Sequence, residues 1–142
     1  MSIFTGLILF FAPIQGLVLS VGIAIMFDTF TGIYKSLKLH GWGSIRSRKL
    51  SNIISKMLLY EGAIIFLYPV DKFLLNDLFL NVVSVPFFST KLACVLLVLV
   101  ELTSIKENIE AALNINIWKV LKNLINRAKE ISQDVDDIKN PN

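Results

Sequence analysis

Cysteine and histidine occur once each in this sequence, as Cys94 and His40. A single cysteine cannot close a disulfide within the chain, and neither residue has partners at metal-ligand spacing, so no metal site is expected. Cys94 lies in the uncharged run 92–100, where a buried, inert thiol is the plain reading. Glycine forms no phosphate-cradling loop, since Gly41 and Gly43 flank Trp42 and follow no strand pattern. Serines are scattered without a nucleophile–base arrangement. The expectation is a protein that is not an enzyme and needs no cofactor. Charge is scarce as well: 18% of the 142 residues are Asp, Glu, Lys or Arg, against 54% hydrophobic. A water-soluble domain rarely has that balance. The net charge of +3 is too modest, and too unevenly spread, to suggest a nucleic-acid partner.

Residues 3–27 contain no charged side chain, which exceeds the roughly 20 apolar residues that cross a bilayer core of about 30 Å. A soluble core helix has no reason to be apolar on every face for so long. No basic leader precedes this run and no small-residue cleavage site follows it, so it is expected to be retained. Pro13 and Gln15 interrupt it. They predict a short interfacial or re-entrant piece, then a spanning helix over about residues 14–34 with Pro13 in its first turn.

A basic loop over residues 35–56 follows, with Lys35, Lys38, Arg46, Arg48, Lys49 and Lys56, and with Gly41 and Gly43 breaking any helix. The second apolar stretch is bracketed by Lys56 and Asp71 and contains Glu61. It spans, over about residues 53–72, if Lys56 and Lys72 snorkel to the headgroups. Residues 72–91 mix Phe and Leu with Asn76, Asp77, Asn81 and Pro86, which suggests interfacial structure and a bend. The third span is placed over about residues 87–105.

The fold class expected is therefore all-α, an integral membrane protein with about three transmembrane helices. Residues 1–113 form the membrane domain, and residues 114–142 a tail. In that tail Trp118, Leu121, Ile125, Ala128, Ser132 and Val135 recur at steps of three and four, which predicts an amphipathic helix. Its first half is basic and its last part acidic. An anionic membrane surface and a coiled-coil seam between subunits both fit such a stripe. Of the 14 Lys and Arg, only Lys72 and Lys91 fall outside the first loop and the segment from Lys106 onward. The positive-inside rule then places that loop and the C-terminus in the cytoplasm and the N-terminus outside.

Polar residues within or at the edges of the spans are the functional candidates, because a carboxylate at the bilayer centre costs at least about 2.5 kcal/mol and faces protein or water. Asp28, Thr31, Gly32 and Lys35 share one helical face at spacings of three, four and seven. On that face Gly32 admits a close backbone, Thr31 can bond across helices, and Lys35 suits the C-terminal end of the helix dipole. The plainer alternative is that Asp28 only caps a hydrophobic span. Glu61, next to Gly62, would meet a neighbouring helix through Lys56 or a basic group of another subunit, as pore lining or as a structural ion pair. Glu101 and Glu107 flank Ser104 near the cytoplasmic end of the third span, where solvent access lowers the cost of their charge.

The order of these features resembles a family. Asp28 through Lys35 is similar to the Asp-x-x-Thr-Gly-x-x-Lys signature that ends the first span of a phage holin family, one that also includes toxin-secretion holins of clostridia. The loop with Ser44, Arg48 and Lys49 is similar to that family's loop. Residues 101–108, containing Glu101, Ser104, Glu107 and Asn108, resemble its Glu-x-x-Ser-Ile-x-Glu-Asn element after the last span. The resemblance covers about residues 18–113 and leaves the tail unaccounted for. An early Glu61 and the long segment 76–86 depart from the family pattern.

The resemblance implies a protein of the bacterial inner membrane that accumulates harmlessly, then self-associates into lesions that release an endolysin or dissipate the proton gradient. Its partners would be the lipid bilayer and copies of itself, with an endolysin as a functional partner that it need not bind. Asp28, Thr31, Gly32, Lys35, Glu61, Glu101, Ser104, Glu107 and Asn108 are then candidates for oligomerisation or pore lining. Two other classes fit the residues: a membrane adaptor that recruits a partner through its C-terminal helix, and, less well for want of repeats, an ion-coupled transporter relaying protons through Asp28 and Glu61.

Overall fold

The computed structural model describes residues 2–44 and 47–139, and every regular element among them is helical. Arg46 and the terminal Asn140, Pro141 and Asn142 lie outside the described residues, as do the side chains of residues 44–50, Leu80 and 134–139, Arg48 and Lys49 among them.

Helix α1 (Ile3–Phe11) leads through one 3-10 turn, Ala12–Ile14, into α2 (Gln15–His40). Pro13 occupies that turn, where its missing N–H costs little. Backbone angles stay helical on both sides, so the first run is one helical stretch, Ile3–His40. The re-entrant piece expected before residue 14 is not formed. Gly41 ends α2 at φ 74°, ψ −178°, a region essentially restricted to glycine.

The segment expected to be a loop over residues 35–56 is mostly helix. It contains the end of α2, a 3-10 turn at Trp42–Ser44, and the start of α3 (Ser47–Val70). Lys, Arg and Leu are good helix formers, so only Gly41 and Gly43 oppose helix there. Pro69 near the end of α3 cannot bond back to the preceding turn. Two residues later the helix widens into a π turn, Asp71–Leu75, before the short α4 (Asn76–Val83). A left-handed Ser84 and Phe87 reverse the chain into α5 (Phe88–Leu113). A left-handed Asn114 separates α5 from α6 (Ile117–Lys139).

Among the described residues three helical runs, Ile3–His40, Ser51–Phe79 and Phe88–Leu113, are long and apolar enough to cross a membrane. The chain is an all-α membrane protein. α2 and α5 pack against each other most extensively, and α3 lies against both. Much of the apolar surface faces outward, with Ile3, Phe4, Leu58 and Phe66 all more than 70% exposed, as lipid-facing side chains should be.

The inward positions form one seam per helix at steps of three, four and seven: Val21, Ile25 and Asp28 on α2; Lys56, Tyr60, Ile64 and Tyr68 on α3; Thr90, Cys94, Glu101 and Asn108 on α5. This is the spacing of helices that pack at shallow angles. Ile14, Val21, Ile25, Ile64, Tyr68 and Cys94 make the apolar core. Polar residues take over the same seam toward the His40 end.

Candidate functional site

The inward turn of these three seams brings a cation and two carboxylates together. Lys56 Nζ donates to Asp28 Oδ2 at 2.7 Å and to Glu101 Oε2 at 2.9 Å. The Glu101 side chain has no solvent exposure, that of Asp28 has 11%, and that of Lys56 has 35%. Asn108, two turns beyond Glu101 on α5, donates from Nδ2 to Asp28 Oδ1 at 3.1 Å and accepts from Lys35 Nζ on Oδ1 at 3.2 Å. One connected network, Lys35–Asn108–Asp28–Lys56–Glu101, therefore ties α2, α3 and α5 together.

Desolvating charge offsets most of what such pairs gain by attraction. The network's main effect is on register: Lys56 satisfies both carboxylates only in this alignment of three helices. Glu101 Oε1 remains buried without a partner among the described residues. Beside the network lies a cavity of about 290 Å³, lined among others by Asp28, Gly32, Lys35, Lys56, Ser104 and Asn108.

Of the residues singled out by sequence, Asp28, Gly32, Lys35, Glu101, Ser104 and Asn108 meet in this network or at its cavity. Thr31 does not bond across helices; its Oγ1 donates to the Asp28 carbonyl of its own helix at 2.9 Å. A Cβ on Gly32 would meet the Asn108 side chain at 3.5 Å, so within the protomer its neighbour is a side chain.

Glu101 is not near a solvated helix end. α5 continues to Leu113 because Glu107 and Glu110 continue the helix although they end the hydrophobic run. Glu107 points outward and is exposed. Glu61 does not pair with Lys56, which is engaged elsewhere. It lies against Gly22 of α2, its Oε1 3.2 Å from where a Cβ on that glycine would stand, and its Oε2 is buried without a partner among the described residues.

Sequence reasoning missed Lys56 as the centre of the site, giving it only as a residue that snorkels or as a partner for Glu61. The signal was present in its spacing, because Lys56 stands four and eight residues before the inward Tyr60 and Ile64. A second polar joint at the other end of the bundle was also missed. Asp71 Oδ2 accepts from the Thr90 backbone N–H at 2.8 Å and from Thr90 Oγ1 at 2.9 Å, which caps the start of α5 from another helix. Lys72 stands over the rings of Phe10, Tyr68 and Phe73, closest to Phe10 at 4.5 Å from its centroid. Among the described residues no cluster of three or more His, Cys, Asp or Glu could hold a metal ion.

The family model for the bacteriophage holin family matches residues 6–130. The chain belongs to the bacteriophage holin family. The match takes in the three spanning runs except the first residues of Ile3–His40, the whole ionic network, and more than half of α6. No curated protein and no solved structure matches this holin.

Proposed function

We propose that this holin gathers in a bacterial inner membrane and self-associates into lesions through which an endolysin or a secreted toxin leaves, with host cell lysis as the outcome. The observation that carries the reading is the charged seam enclosed by a lipid-facing bundle. In the single protomer Asp28, Lys56, Glu101 and Asn108 bond to one another and leave Glu101 Oε1 without a partner among the described residues. The bundle's outside is largely apolar, so this seam, with Glu61, is what can line water once helices part and protomers share the opening. Lipid gives helices no hydrophobic reason to associate, and polar contacts and packing do that instead. Thr31, Gly32, Lys35 and Ser104 lie on the same or flanking faces and complete the proposed lining, while the outward-facing Glu107 is a candidate for contact between protomers.

The distribution of Lys and Arg supports an N-terminus outside and a cytoplasmic C-terminus, with residues 1–113 as the membrane domain and 114–142 as a cytoplasmic tail. A second reading rests on α6, whose apolar face is exposed: the chain would anchor a soluble partner without opening the membrane. Dye entry after induced expression separates the two. A holin admits a membrane-impermeant dye abruptly after induction. An adaptor leaves the membrane sealed, both intact and truncated before Ile115, and that result would overturn the lesion reading.

A further inference from the structure

Among the described residues, α6 is the one long helix that buries no apolar face. From Trp118 to Gln133 every residue is exposed, including Leu121 at 43%, Leu124 at 59% and Ile131 at 64%. At about 100° per residue, Ile117, Val120, Leu121, Leu124, Ile125 and Ile131 fall within a sector of about 140°. That is wider than a two-position coiled-coil seam. Arg127 borders the sector on one side. Trp118, then Lys129 and Lys122, border it on the other. Residues 117–130 carry four cationic side chains against Glu130 alone.

The approach to this helix is fixed. Asn114 turns left-handed at φ 54°, and Glu110 on the last turn of α5 accepts the Ile117 N–H on Oε1 at 2.8 Å while Lys106 holds its Oε2 at 3.1 Å. Asn116 Oδ1 caps the new helix by accepting from the Lys119 N–H at 2.9 Å. α6 therefore starts within a few residues of the end of a membrane span, with an apolar face, cations along both edges and a tryptophan in its first turn.

We infer that α6 is an anionic-lipid-binding helix that lies in the interface of the leaflet where α5 ends, its apolar face in the acyl boundary and Lys122, Arg127 and Lys129 among lipid phosphates. The acidic stretch Asp134, Asp136 and Asp137 is repelled by the same surface and sets where the bound part ends. This inference rests on α5 crossing a bilayer and is independent of lesion formation.

The test uses the full chain with one tryptophan on the apolar face, Trp42→Phe, Trp118→Phe and Leu124→Trp, reconstituted in vesicles. Position 124 lies roughly 10 Å along the helix from Ile117, so a helix that points away from the bilayer places it in water. In vesicles containing phosphatidylglycerol the emission is expected to be blue-shifted and quenched several-fold by brominated acyl chains. Quenching should fall away in pure phosphatidylcholine, in about 1 M salt, where the screening length is about 3 Å, and when Lys119, Lys122, Arg127 and Lys129 are changed to Gln. A water-accessible tryptophan in anionic vesicles would overturn the inference. So would shielding that is equal in both lipids, or that tracks protein density rather than lipid charge, the sign of a seam between subunits.

Discussion

Lys56 and Glu101 meet across α3 and α5 at 2.9 Å, and the glutamate is fully buried. Because Lys56 also holds Asp28 at 2.7 Å, removing the lysine strands two carboxylates in the bundle, whereas removing one carboxylate leaves a pair. Lys56→Met should therefore destabilise the bundle by about 3 kcal/mol or somewhat less, since breaking a fully buried pair costs about 3–5 kcal/mol and Lys56 is partly exposed. Lys56→Met combined with Glu101→Met should be more stable than Lys56→Met alone. Loss of helix signal during denaturant titration in micelles measures both, and losses that simply add would contradict the coupling.

At the opposite end, Asp71 caps α5 through Thr90. Asp71→Ala should cost about 1–2 kcal/mol, the range of a lost helix cap, and should speed amide exchange at Thr90. Thr90→Val removes only the hydroxyl bond and should cost less. Equal losses in the two variants would mean that the backbone cap contributes nothing.

Gly32 separates contacts within the protomer from those between protomers. A Cβ there stands 3.5 Å from Asn108 Nδ2, an ordinary contact, so Gly32→Ala should leave micelle stability within about 0.5–1 kcal/mol, the size of the helix-propensity difference itself. If protomers pack across this glycine, the same variant still shifts the onset of permeabilisation. Gly62→Ala, with open space around it, is the matched control on a different face.

Much of this was legible in the sequence, for physical reasons. A bilayer requires long apolar runs, so three spans follow from hydropathy, and the cost of intramembrane charge marks Asp28, Glu61 and Glu101 as functional candidates, although Glu101, expected near a solvated end of its span, is fully buried. The resemblance of residues 28–35 and 101–108 to holin elements brought in Asn108, which the structure then joins to Asp28. Hydropathy fails where helix and apolar run part company. The third apolar run ends near residue 105 while the helix that carries it, α5, continues to Leu113, and a loop is expected over residues that continue α2 and begin α3.

Lys56 is misread as snorkelling or as a partner for Glu61 because its actual partners, Asp28 and Glu101, lie on other helices, and only the packing of α2 and α5 brings them to it. The Asp71–Thr90 joint spans 19 residues and depends on a π turn, for which the sequence carries no local pattern beyond Pro69.

The most direct measurement is the onset of dye entry in cells expressing the intact chain and Asp28→Leu at matched membrane levels. The ionic seam as the future lining predicts an abrupt onset for the intact chain, and a delayed or abolished one for Asp28→Leu even though the variant inserts normally. An unchanged onset in Asp28→Leu would contradict the account.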